Sequence, residues 1–212
     1  MTTTAYVLLG VAVLAAVADW LAVLRVHQPL EYVCKPLATA ALVAVAATLD
    51  PGSSDQRLAF VVALVLSLAG DVALMMPSDR FVIGLGSFLL AHVAYIVGFA
   101  IIGAGAGDYA IGIAAVAVPI VLLATRYVRA LERAGRGELL GPVILYIAAI
   151  GAMVASAIAA GNALAIAGAT LFFVSDALIA ETRFVGPRRW GPLVIIVTYH
   201  LAQVALVLSL LP

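Results

Sequence analysis

The sequence predicts an all-α membrane protein, a bundle of about eight transmembrane helices that forms a single domain over residues 1–212. Two observations predict this class. The chain is 66% hydrophobic and 10% charged with a mean hydropathy of +1.22, whereas a soluble domain carries about 25% charged residues. Its apolar residues also fall into stretches near the ~20 residues that cross a bilayer. The bilayer therefore has to solvate apolar surface that one core cannot bury.

Polar, proline and glycine residues separate these stretches. Pro36, Pro142 and Pro192 suit the first turn of a helix, where a missing N–H is harmless. Segments six and seven are separated only by Gly161-Asn162, which makes theirs the shortest connection. The predicted segments cover residues 4–24, 32–49, 57–76, 82–103, 109–128, 140–160, 162–181 and 192–211.

The cations predict the orientation of the bundle. Ten of the eleven Lys and Arg residues lie at or near the first, third, fifth and seventh connections, and Arg57 alone falls in an even-numbered one. The positive-inside rule then predicts that the odd connections are cytoplasmic and that both termini are outside. We expect an integral protein of a bacterial cytoplasmic membrane, whose first segment is a retained helix because no cationic region precedes it.

Two parts of the chain resemble each other. Residues 70–74 and 80–82 are echoed by residues 175–179 and 183–185. Because segments three and seven run in the same predicted direction, this similarity is compatible with a parallel repeat of four plus four helices. Chance similarity in a chain rich in Ala, Leu and Val is the competing explanation.

Asp71 and Asp176 are the most informative polar residues. Each lies about five residues from the cytoplasmic end of its segment, and therefore ~7–8 Å inside the membrane. A carboxylate at such a place costs about 2.5–3.5 kcal/mol even on the lenient insertion scale, so the first interpretation is a functional site with a partner. A purely structural partnership with an N–H group or a lysine is the alternative.

Other polar side chains fall in the same predicted half of the membrane, namely Lys35, His92, Tyr95, Tyr199 and Gln203. This layering predicts one polar cavity that opens toward the cytoplasm. Structural interpretations stay open for several of them. A histidine can hydrogen-bond between helices, a glutamine can serve in helix packing, and Lys35 can form an interfacial ion pair with Glu31. For Asp19, near the cytoplasmic end of the first segment, contact with the headgroups is favoured.

Several kinds of chemistry are not indicated. His27, His92 and His200 lack metal-ligand spacing, and no phosphate-binding or dinucleotide motif and no nucleophile elbow occurs. The single Cys34 excludes an intramolecular disulfide. We therefore expect no metal and no cofactor. A net charge of zero without a basic arm also argues against nucleic acid as a partner.

An ordered set of motifs resembles the YhhN-like lysoplasmalogenase family, from about residue 32 to 205. The motifs are Lys35-Pro36-Leu37, Gly70-Asp71-x-x-Leu74-Met75, Phe88-x-x-Ala91-His92-x-x-Tyr95, Ser175-Asp176-x-x-Ile179-Ala180 with Phe184, and Thr198-Tyr199-His200-x-Ala202-Gln203. His200 departs from the family's Tyr-Tyr-x-Ala-Gln form, which leaves the role of position 200 open.

The resemblance implies a membrane hydrolase that cleaves the vinyl ether bond of lysoplasmalogens, releasing a fatty aldehyde and glycerophosphoethanolamine or glycerophosphocholine. Such a reaction starts with protonation of the β-carbon and passes through an oxocarbenium ion. It needs a carboxylic acid as proton donor and a carboxylate that stabilises the cation and activates water. Paired carboxyl groups in a poorly solvated cavity can divide these roles, as they do in glycosidases.

We therefore expect Asp71 and Asp176 to be the acid and the base, in either assignment, with His92 and Tyr199 orienting water or a carboxyl group. Lys35 is expected to bind the lipid phosphate. Tyr95, Gln203 and Ser175 are predicted to contact the lysophospholipid substrate, and the apolar outer half is expected to hold the alkenyl chain.

Two other functions fit the same sequence. A proton-coupled transporter also shows buried carboxylates and repeats, but it predicts a polar path to the outer face, where the sequence offers almost nothing polar. A lysolipid-binding protein without turnover is the second. The sequence decides neither the natural lysolipid nor the oligomeric state, since small residues pack helices within a chain as readily as between chains.

Overall fold

A computed structural model of the protein describes residues 1–76 and 80–211, and within these ranges the chain is helical without a strand. All eight long helices of the described chain are long and apolar enough to cross a membrane, which confirms the predicted class. A 3₁₀ turn at Gly137–Leu139 precedes the sixth helix, and a π-helical turn at Glu181–Val185 follows the seventh. The helices are α1 (Thr3–Leu24), α2 (Gln28–Thr48), α3 (Ser54–Met75), α4 (Phe81–Ile102), α5 (Ala106–Arg133), α6 (Leu140–Ala160), α7 (Ala163–Ala180) and α8 (Gly191–Leu208).

The start of α2 differs from the prediction. The helix begins at Gln28, and Pro36 lies inside it rather than in its first turn. The first turn instead contains Pro29, and the ring of His27 accepts a hydrogen bond from the backbone N–H of Leu30 at 3.2 Å. The expected helix start at Pro36 was therefore wrong, because a proline and a capping side chain a full two turns earlier already satisfy the helix start.

The other boundaries agree with the sequence more closely. Pro142 and Pro192 lie in the first turns of α6 and α8 as predicted. Between α6 and α7, Gly161 adopts a left-handed conformation with φ +72° and ends α6. Asn162 then caps α7 by accepting hydrogen bonds from two backbone N–H groups. A two-residue connection is therefore enough to reverse the chain.

The helices pack in a repeating pattern. Consecutive helices form the pairs α1–α2, α3–α4, α5–α6 and α7–α8, and these pairs are joined by contacts of α2 with α3 and of α6 with α7. The bundle is closed by contacts of α4 with α6 and of α8 with α2. If α1–α4 are exchanged in order with α5–α8, each of these contacts corresponds to another one in the bundle, for example α2–α3 to α6–α7. The contact of α1 with α8 is the exception, because α5 and α4 do not contact each other to the same extent. A four-plus-four repeat would produce this pattern.

Because successive helices alternate in direction, the four odd-numbered connections lie at one end of the bundle. We call this the cationic end, because ten of the eleven Lys and Arg residues lie in these connections or within about two helical turns of them. The outward faces of the helices are apolar, and Leu14, Ile111 and Val118 are each more than 60% exposed. These faces need lipid as their solvent.

Gly112 lets the backbones of α5 and α6 approach each other closely. A Cβ atom at this position would lie 3.0 Å from both Cα and the carbonyl carbon of Ala155 on α6. Gly107, one and a half turns earlier on α5, has open space at the same position. Small residues at such contacts let helices approach closely in membranes.

We predict that Gly112→Ala lowers the thermal stability of the protein, because the added methyl group forces α5 away from α6 at a cost of about 1–3 kcal/mol. Gly107→Ala is the matched control, since it adds the same atom to the same helix in open space and should leave the melting temperature unchanged or slightly raised. Thermal unfolding of both variants in one detergent measures the difference. Equal melting temperatures would contradict the close approach.

Candidate active site

Asp71, on α3, is enclosed by side chains of two other helices. Its side chain is 1% exposed. Its Oδ2 atom accepts hydrogen bonds from the hydroxyl of Thr39 on α2 at 2.9 Å and from the hydroxyl of Tyr199 on α8 at 2.6 Å. Its Oδ1 atom lies 3.4 Å from Nζ of Lys35 on α2. Both carboxyl oxygens therefore have partners, as a buried charged group requires.

A chain of hydrogen bonds continues from this carboxyl group toward α4. The side-chain amide of Gln203 donates to the hydroxyl of Tyr199 at 3.3 Å, and its oxygen accepts from the hydroxyl of Tyr95 at 2.6 Å. Gln203 and Tyr95 are fully buried. These two residues, predicted as substrate contacts, thus link α8 to α4 within the bundle.

Asp176, on α7, has a different set of partners. Its Oδ2 atom accepts a hydrogen bond from the hydroxyl of Tyr146 on α6 at 2.5 Å and lies 3.5 Å from Nε2 of His92 on α4. The side chain of Asp176 is 9% exposed and that of His92 is completely buried. Neither ring nitrogen of His92 has a hydrogen-bond partner among the described residues. The site therefore contains an enclosed imidazole whose polar atoms are not used by the protein.

Aromatic rings connect the surroundings of the two carboxyl groups. The ring of Phe172 packs edge-on against Tyr199, a partner of Asp71, at 5.5 Å and against His92, beside Asp176, at 4.9 Å. In the described part of the chain, Asp71 and Asp176 have no hydrogen-bond partner in common, although the two groups interact electrostatically. The sequence predicted one polar cavity, whereas the hydrogen bonds divide the polar groups into two clusters.

The two clusters are built alike. Each aspartate accepts a hydroxyl hydrogen bond from the preceding helix of its own half, Thr39 on α2 or Tyr146 on α6. Each also meets a ring from the last helix of the other half, Tyr199 on α8 or His92 on α4. These contacts follow the exchange that relates the helix pairs.

An apolar cavity lies among helices α3 to α7, and Asp176 is part of its wall. It has an empty volume of about 630 Å³, part of which is open to the surroundings. Asp176 is the one carboxyl group among its described lining residues, and it is the one predicted site residue of the eight that lines it. The lining residues are Leu74, Phe81, Leu85, Phe88, Leu123, Tyr127, Val143, Tyr146, Ile147, Ile150, Phe173, Asp176, Ala177, Ile179, Ala180 and Phe184. The alkenyl chain was expected in the opposite half of the bundle, but this space lies toward the cationic end.

Other predicted positions are occupied by structural contacts. The Lys35 ammonium, 15% exposed, is held by Asp71 rather than presented to solvent. The hydroxyl of Ser175 donates to the carbonyl of Ile195 on α8 at 3.0 Å. His200, whose role was open, is buried and its Nδ1 accepts a hydrogen bond from Trp20 at 3.0 Å.

Asp19 does not border the headgroups as favoured from the sequence. It is completely buried on α1, and neither of its carboxyl oxygens has a hydrogen-bond partner among the described residues. It interacts electrostatically with Lys35, Glu31 and Asp71. The interpretation of Asp19 as a headgroup contact was wrong. Its position near the end of α1 indicates its depth, but not whether neighbouring helices cover its face of α1. Within the described chain, no group of three His, Cys, Asp or Glu residues is arranged to hold a metal ion.

Two important residues were missed. Thr39 lies four residues after Lys35, so the spacing indicates that both occupy one face of α2, and the structure directs both to Asp71. Tyr146 is the one hydroxyl in the apolar stretch 140–155, which is a weaker signal because tyrosines also lie at membrane interfaces.

The fold and the two carboxyl clusters define an α-helical integral membrane protein with acidic groups enclosed in its bundle. A family model described as the YhhN family matches residues 30–210. Since this match covers most of the chain, the protein belongs to the YhhN family. The resemblance noted from its motifs is thereby confirmed.

Individual relatives extend this comparison. The chain is 36% identical over 150 residues to proteins named Lysoplasmalogenase from Mycobacterium bovis and Mycobacterium tuberculosis, which covers 69% of this chain and 57% of each relative. It is 32% identical over 149 residues to the Homo sapiens protein named Lysoplasmalogenase TMEM86B, covering 70% of this chain and 62% of that protein. The matched part is thus less than two thirds of each relative. No solved structure matches.

We predict that Lys35 and Asp71 are strongly coupled in stability. Lys35→Met leaves the buried Asp71 carboxylate without its cation, and such a change costs about 3–5 kcal/mol. Asp71→Asn leaves the ammonium group unpaired and should also be destabilising. The double variant removes both charges, so its loss should be clearly smaller than the sum of the two single losses.

Thermal unfolding of the two single variants and the double variant in one detergent measures this coupling. Arg129→Met is a suitable control, because it removes an exposed cation near the cationic end and should change the melting temperature little. Additive losses from Lys35→Met and Asp71→Asn would contradict the ion pair.

Proposed function

We propose that the protein is a membrane hydrolase that cleaves the vinyl ether bond of lysoplasmalogens to a fatty aldehyde and a glycerophospho-alcohol. The observation that carries this proposal is the apolar cavity in which Asp176 is the one carboxyl group among the described lining residues. Such a cavity suits a single-chain lipid. The hydrocarbon chain would contact the apolar walls, and the one carboxyl group would contact the vinyl ether bond. We also propose that the cationic end faces the cytoplasm, in accordance with the positive-inside rule.

In the proposed first step, the carboxyl group of Asp176 gives its proton to the β-carbon of the vinyl ether. The double-bond electrons form the new C–H bond, and the positive charge develops on the α-carbon and the ether oxygen as an oxocarbenium ion. The resulting carboxylate lies beside this cation and stabilises it in a site of low polarity. The hydroxyl of Tyr146, 2.5 Å from Oδ2, orients the carboxyl group.

In the second step, water adds to the α-carbon and loses a proton. His92 suits the role of the base that holds this water, because its ring lies 3.5 Å from Asp176 and its nitrogens have no hydrogen-bond partner among the described residues. The hemiacetal formed in this way then breaks its bond to the glycerol oxygen, which takes a proton. One water is consumed, and the products are an aldehyde and an alcohol.

Asp71 is assigned a positioning role in this proposal. It is paired with Lys35 and holds the hydroxyl of Tyr199. The ring of Tyr199 packs against Phe172, which in turn packs against His92. The ion pair therefore supports the wall behind the imidazole, and the sequence-based hypothesis of a direct Asp71–Asp176 acid and base pair is replaced by a pair formed by Asp176 and His92.

The relatives support an enzyme over the two other functions. The mycobacterial and human proteins that match this chain are named Lysoplasmalogenase. A proton-coupled transporter and a lysolipid-binding protein without turnover remain the alternatives, and measured turnover distinguishes both from the enzyme.

We predict that Asp176→Asn abolishes aldehyde release from lysoplasmalogen by the purified protein in detergent. An amide cannot donate the proton, and loss of a general acid lowers the rate by about 10²–10⁴-fold. Asp50→Asn is the matched control, because it makes the same change at an exposed residue between α2 and α3 and should keep wild-type activity.

The melting temperature of each Asp variant shows whether it has folded. A folded Asp176→Asn protein that keeps the wild-type rate would contradict the proposed mechanism. A well-folded wild-type protein that releases no aldehyde would contradict the proposed reaction itself.

The cavity makes a separate prediction about substrate access. Ile147→Trp places a large ring in the cavity, because Ile147 lines it and is 7% exposed. We expect kcat/KM for aldehyde release to fall by about tenfold or more, because a poor fit between a substrate and an apolar pocket lowers kcat/KM to this extent. Ile144→Trp is the control on the outer face of α6, since Ile144 is 49% exposed. Equal kcat/KM values for the two folded variants would show that the chain does not lie in this cavity.

A further inference from the structure

Two arginines and a glutamate meet beside the cavity at the cationic end. Arg126, near the end of α5, forms a two-fold hydrogen bond with Glu181 through Nε and Nη2, with both distances at 2.7 Å. Arg188, in the connection to α8, donates from Nη2 to Oε1 of the same glutamate at 2.9 Å. Both arginines are 49% exposed, whereas Glu181 is 12% exposed. The carboxylate is thus held inside while the cations face outward.

These three residues line a shallow groove that borders the cavity. The groove is completed by Leu123, Tyr127, Ala177, Leu178 and Trp190. Leu123, Tyr127 and Ala177 line the apolar cavity as well, and the hydroxyl of Tyr127 donates to the carbonyl of Ala177 at 2.7 Å where the two spaces meet. A lipid with its polar part in the groove therefore has an apolar space directly beside it.

The charge of the groove favours an anion. Two guanidinium groups face one carboxylate, so the cluster carries an excess of positive charge. Each guanidinium has five N–H donors, and the bonds to Glu181 use two of them on Arg126 and one on Arg188. The other donors can bind a second oxyanion in the forked geometry that suits phosphate.

Two further arginines lie at the mouth of the cavity. The guanidinium carbon of Arg183 lies 4.8 Å from the ring centre of Phe81, and that of Arg136 lies 6.0 Å from the ring centre of Phe184. Both phenylalanines line the cavity and pack edge-on against each other at 5.8 Å. The cations held on these rings make the surroundings of the mouth attractive to a negatively charged headgroup.

Asp176 and Glu181 lie five residues apart where α7 passes into the π-helical turn. Because five residues turn a helix by about 500°, their side chains leave it about 140° apart, and accordingly Asp176 lines the cavity whereas Glu181 lines the groove. Ala177 lines both spaces, so the groove and the cavity are neighbours at this part of the chain.

We propose that Arg126 and Arg188 bind the phosphodiester of the lysophospholipid through the N–H donors that Glu181 leaves free. This inference rests on the proposed function for the identity of the lipid. It assigns the phosphate contact, which the sequence suggested for Lys35, to two residues that are accessible from the cationic end. The chain of the same lipid lies in the apolar cavity.

The test measures binding without turnover. Purified full-length protein in nonionic detergent is titrated with a monoacyl lysophosphatidylcholine, which has no vinyl ether, and with a monoacylglycerol of the same chain length, which has no phosphate. We expect the wild type to bind the lysophosphatidylcholine about tenfold more tightly or better, and the double variant Arg126→Gln with Arg188→Gln to bind both lipids equally.

Arg129→Gln is the matched control, since it removes an exposed arginine of the same helix that does not line the described groove, and it should keep the wild-type preference. Loss of the preference in this control, or its absence in the wild type, would overturn the proposal. Equal competition by a diacyl phosphatidylcholine would also overturn it, because the groove would then bind bilayer lipid rather than the substrate.

Glu181→Gln provides a second variant that keeps both arginines. Removing the negative charge of Glu181, which repels a phosphate bound to the neighbouring donors, should tighten binding of the lysophosphatidylcholine several-fold and leave binding of the monoacylglycerol unchanged. Unchanged or weaker lysophosphatidylcholine binding would overturn the proposal. Because these titrations involve no hydrolysis, their outcome is independent of aldehyde release. The binding data can therefore contradict the phosphate site while aldehyde release supports the reaction, and aldehyde release can be absent while the binding data support the phosphate site.

Discussion

The cost of placing a carboxyl group inside a bilayer determines how this bundle is assembled. Each such group needs partners, and for Asp71 the partners come from two other helices, with Lys35 and Thr39 on α2 and Tyr199 on α8. Asp176 is met in the same manner by Tyr146 on α6 and His92 on α4. The contacts of the two carboxyl groups thus join six of the eight described helices. Because the same side chains form the site and connect the helices, a shift of one helix also changes the geometry of the site.

The two carboxyl groups differ in what remains open to a ligand. Asp71 is 1% exposed with both oxygens engaged, including one by a cation. Asp176 lies in the wall of an apolar cavity, with the hydroxyl of Tyr146 and the imidazole of His92 near its Oδ2 atom. We propose that this difference divides structural and chemical roles between two similar sites. In this account the headgroup end of the substrate meets Arg126 and Arg188, which lie where the cavity opens.

Much of the fold follows from the sequence, because helix length and apolar content are properties of single segments. Both aspartates were identified for the same reason, since a charge in an apolar segment stands out by itself. The lateral contacts could not be predicted. The pairing of Lys35 with Asp71 depends on which faces of α2 and α3 meet. Glu181 and Arg126 are 55 residues apart, and in the sequence such an arginine indicates only a connection at the membrane surface.

Hydrolysis of a lysoplasmalogen in D₂O by the purified protein tests the central claim most directly. The account holds that an acidic hydrogen of Asp176, exchanged with solvent, is transferred to the β-carbon of the vinyl ether. The aldehyde, trapped as it forms and analysed by mass spectrometry, should therefore carry one deuterium on the carbon next to its carbonyl group. The Asp176→Asn protein should yield no such product above the uncatalysed background. Enzymatically released aldehyde without deuterium at that carbon would contradict proton transfer to carbon, and with it the role given to Asp176.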